Sequence, residues 1–520
     1  MATVLGFKPY FDLPMWRPEA PALGTSTAGT SFAWDHRNNT NGSPYQYYLR
    51  GQAAFEVHGP ISGEWMALGS PTLTGVFGAG ATAVFNPSQG PRGTLAAGGT
   101  TSKISLTTAL PAAVAPNQLA NRGDGAGFRI RVIDNSAGSS GKIEERTIIA
   151  NTAGTTPNLW LDAPLSFTPA LGSTYEIRSG RVFLLSAGLL TAGAFKYYDI
   201  ATNSFSGNLS IVNLPATIGT DSNALVLSES HVPYNRSPGE GFVSGTGLYD
   251  AGKQCIVATA SAATTITGSG MFADLQTNEY ANFQIRIVED ITNPASVNQR
   301  RRITSHTAGA TGVFTVAAWT VTPSATAKFV IENDDDKILL RSSGTGFVYT
   351  YNIAANTWDT STWNVTLAHG AGVVFEQGFG YERDIGNNAR HSHIYCIRGG
   401  GSSAIDVLDI AGGSLGTWTN DIVYGKKGQT FTAGTSGSYD PVTMKGRLMH
   451  ININGTQRMA RFDLKNRIMD AGSYLRFPQG TAVVGQKLCN GVFIDGDTKS
   501  NLLYQMTHTQ VQMFSMVIQP

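Results

Sequence analysis

The stretch Tyr395-Cys-Ile-Arg-Gly-Gly-Gly-Ser-Ser-Ala404-Ile-Asp-Val-Leu-Asp-Ile-Ala-Gly-Gly-Ser-Leu-Gly-Thr-Trp418 decides the fold. It reads as an apolar strand, a Gly-rich turn, a second apolar strand, a polar turn and a closing aromatic. The same order recurs at Tyr48–Gly51, Ala54–Val57 and Trp65, and at Leu339–Gly344, Phe347–Asn352 and Trp358. Looser copies run Val182–Gly188, Phe195–Asp199 and Phe205; Met449–Gly455, Met459–Asp463 and Tyr474; and Val492–Gly496 with Leu502–Met506.

A short apolar run precedes each copy: Ser31–Trp34, Ala83–Phe85, Leu225–Leu227, Val373–Phe375, Thr430–Thr432 and Ala482–Val484. Each unit therefore reads as four strands, a to d. Four-stranded units recurring along a chain are the sequence signature of a β-propeller, a ring that leaves only short, protected sheet edges. The fold class expected is all-β, a six-bladed β-propeller.

Composition agrees. A chain of 520 residues with 60 Gly and 14% charged residues is far from helical norms, because Gly is costly inside a helix and β-branched residues suit a pleated surface. The formal net charge of +1 argues against a whole-chain basic field for nucleic acid. Cys255, Cys396 and Cys489 are too few and scattered for a disulfide framework or a zinc site, and fit assembly in a reducing compartment. The opening Met1–Pro9 lacks a basic region followed by a long apolar run, and no 18-residue apolar run occurs, so neither secretion nor a membrane-spanning segment is expected.

Taken in order, residues 1–29 are an N-terminal arm rich in Pro and aromatics. Residues 30–87 hold blade 1 and the start of blade 2, and 88–178 are a first insertion. Residues 179–249 complete blade 2 and begin blade 3, 250–333 are a second insertion, and 334–520 hold blades 3–6. The insertions resemble each other. Phe128–Ile133 matches Phe283–Val288 and Arg146–Gly154 matches Arg301–Gly309, both at an offset of 155; Leu159–Leu161 is aligned with Ala318–Thr320. Both read as small antiparallel sandwich- or barrel-like domains. Both leave adjacent blades between strands a and b, so they are expected to stand side by side.

No constellation carries chemistry with the right spacing. His391 and His393 lie two apart ahead of a strand and could share a face, with Glu376, Glu382 or Asp384 conceivable as a third ligand, yet ordinary surface polarity explains them better. Asn333–Asp336 and Asp495–Asp497 lack the full calcium-loop pattern. Arg300–Arg302 is a local basic patch at most, and Arg122-Gly-Asp124 reads as a turn. The sequons at Asn38, Asn364 and Asn454 matter only in a secretory pathway. Gly412-Gly-Ser-Leu-Gly416 spells a nucleophile elbow but falls in a turn between strands. The reading assigns no catalytic residue, no cofactor and no metal, and expects a protein that is not an enzyme.

The repeated strand, Gly-rich turn, Tyr/Phe-bearing strand and closing Trp resemble Kelch-type blades, although the double Gly of the first turn is complete only at Gly399-Gly400. The insertions, through Thr152-Ala-Gly-Thr155 and Phe167–Ile177, resemble β modules of tailed-phage virion proteins. A Kelch-like propeller with such insertions is similar to the tail nozzle protein of short-tailed, podovirus-type bacteriophages. The resemblance implies a non-enzymatic homohexamer in the virion tail, assembled in the host cytoplasm below the portal and adaptor, or head-to-tail connector. It also implies that the hexamer bears tail fibres or spikes and lets genomic DNA pass. The chain is smaller than some nozzle proteins, which leaves gate or platform elements reduced. Two other readings follow from the same residues: a receptor- or glycan-binding virion protein (fibre or head decoration) using Trp160 and Trp319, and a propeller glycosidase or depolymerase.

Overall fold

The computed structural model describes residues 16–18, 22–23, 30–34, 46–51, 54–59, 64–67, 73–75, 77–78, 80–86, 89–121, 127–134, 143–186, 195–214, 219, 223–226, 256–269, 277–278, 284–297, 299–332, 337–342, 347–359, 363–364, 369–370, 374–378, 393–409, 417–423, 430–440, 448–453, 459–464, 466–470, 487–495, 498–506 and 513–518. The chain is all-β, with two single turns of 3₁₀ helix among the described residues.

Six antiparallel sheets carry the repeat. The first is Ser31–Trp34, Gln46–Gly51, Ala54–Gly59 and Glu64–Ala67, and the second Thr82–Asn86, Arg181–Leu185, Phe195–Asp199 and Ser204–Phe205. The third is Asn223–Val226, Lys337–Arg341, Phe347–Asn352 and Thr357–Trp358, with Trp363–Asn364 also pairing onto Phe347–Asn352. The fourth is Val374–Gly378, His393–Ile397, Ile405–Asp409 and Thr417–Thr419, and the fifth Ser436–Asp440, Leu448–Asn452, Met459–Asp463 and Ile468–Asp470. The sixth joins Lys487–Asp495, Thr498–Met506 and Met513–Ile518 to Trp16–Pro18 from the N-terminal arm. The first strand of each sheet lies against that of the next, and Lys487–Asp495 returns to Ser31–Trp34.

The alternation of a strand decides which neighbour each residue meets. Val182 and Leu184 join Tyr47, Leu49, Phe55 and Val57 of the first sheet, whereas Phe183 and Leu185, one residue on, join Ile338, Leu340, Tyr351 and Trp358 of the third. The fourth and fifth sheets meet through Ile397, Ile405 and Val407 against Met449, Ile451 and Phe462. The hydrophobic core is thus a series of layers between successive sheets rather than one central mass. Among the described residues no side chain of an innermost strand is exposed, and the Ala83 N–H donates to Ser31 Oγ, 2.9 Å away, across the first two sheets.

Two units depart from the sequence reading. In the fifth, strand a is Ser436–Asp440, not Thr430–Thr432; Phe431 makes an isolated bridge to Ser402 and fills the layer between sheets four and five. Its closing strand is Ile468–Asp470, whereas Tyr474 lies outside the described residues. In the sixth, Val492–Gly496 begins in the innermost strand and Leu502–Met506 lies in the second. In the fifth unit the innermost strand opens Ser436-Gly-Ser438, with no apolar run to betray it; in the sixth the apolar run Val492–Ile494 belongs to the innermost strand itself.

Both insertions leave between the first and second strands of a sheet, the second sheet for one and the third for the other. The second insertion is a closed barrel in the cyclic order Ile256–Ala262, Thr265–Ser269, Thr311–Val316, Arg300–His306, Gln284–Glu289 and Lys328–Glu332. The first has Arg92–Thr94, Lys103–Ser105, Asn158–Leu161, Ile143–Asn151, Arg129–Ile133 and Thr174–Ile177 in the same order, and the bridge Leu95–Leu106 joins its edges. The two share their hydrogen-bond details. Asn158 N–H bonds Thr152 Oγ1 at 2.9 Å and Val313 N–H bonds Thr307 Oγ1 at 3.0 Å. Asn117 and Asn278, both at φ 60, accept the backbone N–H of Asn151 and His306 respectively.

This equivalence corrects the aligned tryptophans. Asn158–Leu161 corresponds to Val313–Val316, so Thr315, not Trp319, stands where Trp160 does. Trp319 is buried in the second barrel's core at 6% exposure, leaving Trp160 alone of the pair on an outer face.

Trp358 is 1% exposed and packs against Phe195 and Tyr351 between sheets two and three. Trp358→Ala is expected to lower stability by about 3–5 kcal/mol in denaturant unfolding. Its indole N–H has no partner, so Trp358→Phe, which keeps an aromatic ring, should cost clearly less.

Candidate functional site

The densest set of buried reactive side chains lies between sheets three and four, where Arg341, His369, Cys396 and Asp406 are all fully buried. Arg341 ends the second strand of sheet three, Cys396 lies in the second strand of sheet four, and Asp406 is its cross-strand partner. His369 comes from the segment before strand Val374–Gly378 and is held by a close backbone approach. A Cβ added at Gly370 would lie 2.4 Å from the Cα of Gly400, and the Gly370 N–H donates to the Arg398 carbonyl at 3.1 Å. Gly399, Gly400 and Gly401 all have positive φ, the conformation that L side chains resist. The Gly-rich turn of the deciding stretch is therefore what lets His369 reach the strands.

The hydrogen bonds fix the tautomer. Arg341 donates from Nε to His369 Nδ1, so Nδ1 is the acceptor and His369 donates from Nε2 to Asp406 Oδ2 at 2.8 Å. Arg398 holds the same carboxylate in two-pronged fashion, Nε to Oδ2 at 3.1 Å and an amino nitrogen to Oδ1 at 2.6 Å, and the Asp421 N–H adds a 2.8 Å bond. Arg341 also donates to the carbonyls of Ser342 and Phe347 at 2.6 and 2.9 Å. Cys396 Sγ sits 3.3 Å from His369 Nδ1.

Cysteine, imidazole and carboxylate in series resemble a nucleophile, its base and the group that orients the base. The surroundings oppose that chemistry. Burial pushes the Cys396 thiol up to about 12 despite nearby Arg341, so the thiolate is absent at neutral pH. Burial likewise lowers His369 to about 4, outweighing its bond to Asp406, and the nitrogen facing the thiol already accepts from Arg341. Burial alone would raise Asp406, but the bonds from His369, Arg398 and the Asp421 backbone hold it down to about 2. The cluster works as a polar tie between two sheets.

A second network is in the first barrel. Glu145, 1% exposed, meets Arg131 at 2.8 Å, Arg178 at 2.7 Å and Arg129 at 3.5 Å; burial opposes its ionisation, but the three guanidiniums hold its carboxyl below the usual range. Arg131 also reaches Glu176 at 3.8 Å, and the same Glu176 is met by Arg286 of the second barrel at 3.3 Å. Arg131 and Arg286 occupy equivalent positions, so the barrels touch through equivalent faces and stand side by side.

Of the sequence candidates, His393 begins strand His393–Ile397, while His391, Asn333–Asp336, Arg122–Asp124, Gly412–Gly416, Glu382 and Asp384 lie outside the described residues, as do the sequons at Asn38 and Asn454. Among the described residues no group of His, Cys, Asp or Glu is arranged to hold a metal ion. Arg301 of the Arg300–Arg302 run is structural: it donates to the Ala318 carbonyl at 2.9 Å and stacks 5.5 Å from the Trp319 ring, as Arg146 donates to the Pro164 carbonyl in the first barrel. His369 escaped the sequence reading, and its one signal is a lone histidine followed by glycine ahead of strand a.

No family model matches the chain, and no curated protein matches it. Among solved structures it is similar to YjhT at 9% identity over 96% of this chain and 99% of that one, with a TM-score of 0.34. An auxiliary nutrient binding protein from Bacteroides thetaiotaomicron is 9% identical over 84% and 97%, at 0.26. The α-L-arabinofuranosidase Arb93A from Fusarium graminearum is 11% identical over 65% and 90%, at 0.23. Likeness this slight carries no argument about activity.

His58, His306 and His369 are each lowered to about 4, burial being the first cause in all three. The folded chain keeps them neutral while the unfolded chain takes up protons below pH 6.5, so their contribution to stability is present above 6.5 and lost as pH falls towards 4. Each loss amounts to about 3 kcal/mol. Denaturation midpoints should fall steeply across that window, and less steeply in His369→Gln. Glu145→Gln, which removes the buried charge that three arginines share, should cost about 3–5 kcal/mol, seen as a lower melting temperature.

Proposed function

We propose that the chain is a structural subunit of a virion, a Kelch-like six-bladed propeller serving as the tail nozzle of a short-tailed bacteriophage. Six copies surround the DNA exit channel below the portal and adaptor, and carry fibres or spikes. The observation that carries the reading is the build of the chain: six sheets of four or five strands in cyclic contact, with two barrels of the same strand order on neighbouring sheets joined by Glu176 and Arg286. Such outgrowths give a rigid body with one distinctive side, which suits repeated contact with copies of itself.

The packing of the innermost strands supports placing the conduit between subunits rather than through one. Small buried residues such as Ser31, Thr82, Ser436 and Ser438 occupy these strands. The near-neutral charge is compatible with a wall that does not grip phosphates, since lysine and arginine contacts bind DNA by releasing counterions.

Native mass spectrometry and particle imaging of the protein as it assembles test the reading. A six-fold ring with a DNA-wide channel, recovered also from virions, is expected. A monomer at all concentrations, or a protein absent from virions, defeats it.

A further inference from the structure

The two barrels act as internal controls for each other, because a difference at equivalent positions is not demanded by the fold. In the first barrel the strands Lys103–Ser105 and Asn158–Leu161 pair Trp160 with Lys103 and Asn158 with Ser105, while Ile104, Leu159 and Leu161 turn into the core. The outer face therefore shows Lys103, Ser105, Asn158 and Trp160, all partly exposed, and the chain runs on to the exposed Asp162. At equivalent places the second barrel carries Thr265, Thr267, Val313, Thr315 and Ala317. An ammonium, an amide, an indole and a carboxylate are thus gathered on one barrel, and each is missing from the other.

The groups on this face keep bonding capacity to spare. Lys103 Nζ lies 5.7 Å from the centre of the Trp160 ring, on a flexible stem that can swing aside. Asn158 Oδ1 accepts from Ser105 Oγ, which leaves the amide N–H groups as donors. Asp162 accepts the Thr147 N–H through Oδ1 at 2.9 Å, and its second oxygen remains an acceptor. Across from Lys103, Trp160 is flanked by the small Ala150, and Ile149, 56% exposed at the bulge of Ile143–Asn151, borders the face. In the cyclic strand order Lys103–Ser105 lies three strands from Arg129–Ile133, so the face points away from the contact that Glu176 makes with the second barrel.

We infer that this face of the first barrel binds a pyranose glycan. The negative face of an indole attracts the C–H groups on one side of a sugar ring. Sugar hydroxyls both donate and accept, and Lys103, Asn158 and Asp162 offer both kinds of partner around the ring. A protein partner would call instead for a charge-depleted apolar centre, whereas here a cation and an anion border the indole. The inference does not depend on how many subunits assemble.

The test applies the full chain to a printed array of pyranose oligosaccharides and bacterial polysaccharides, where retention on a subset of spots is expected. For a retained saccharide, Trp160→Ala should weaken binding at least about tenfold and Trp160→Phe should keep most of the affinity. Because Trp160→Ala also removes packing, Lys103→Ala supplies a second variant, expected to weaken binding about threefold at an unchanged melting temperature. Thr315→Ala, the equivalent change in the second barrel, should leave binding as it was. A wild-type chain retained by no saccharide, or retention that survives Trp160→Ala, overturns the inference, and either result leaves the subunit reading above to its own test.

Discussion

Everything described in this chain depends on successive sheets burying their faces against one another. A four-stranded sheet with one covered face is a marginal object, and a stack of such sheets leaves two raw faces at its ends. A cycle removes the ends. Each strand interior then becomes apolar on both sides, which is why Val182–Leu185 reads as a continuous hydrophobic run although alternate residues serve different layers. Polar residues are costly in these layers unless they bond one another, as in the Arg341–His369–Asp406–Arg398 tie.

That tie also shows how geometry and chemistry come apart. A thiol, an imidazole and a carboxylate within hydrogen-bonding reach invite an enzymatic reading, but a nucleophile must shed a proton and meet a substrate. Here desolvation keeps the thiol protonated and the imidazole neutral, and a guanidinium occupies the lone pair that would act as base. The arrangement fixes the angle between two sheets more rigidly than apolar packing does, because hydrogen bonds tolerate less deviation.

Much of the fold was legible because strands two and three of the first five units announce themselves by alternation, and the innermost strands of the first four by short apolar runs. The fifth innermost strand was harder: Ser436–Asp440 is small and polar, so Phe431 drew attention instead. The kinship of the insertions was legible in Phe128–Ile133 and Phe283–Val288, whose inward residues must match for a common core. It failed at Trp160 and Trp319, where sequence likeness paired an outer-face residue with one that fills the core. The buried cluster was not legible, since Arg341, His369 and Asp406 are spread over many residues and only the close approach of Gly370 to Gly400 unites them.

The strand Trp16–Pro18 pairs with Met513–Ile518, so Trp16 faces Met516 across nearly the whole chain. Contacts this distant in sequence are the last to be made, because closing so long a loop costs entropy before any packing repays it. On the ribosome, five sheets can collapse in order while the faces beside the missing sixth wait unpaired. Completion of the sixth sheet is thereby timed to the arrival of the strand Met513–Ile518, and until then the faces beside it form an adhesive seam.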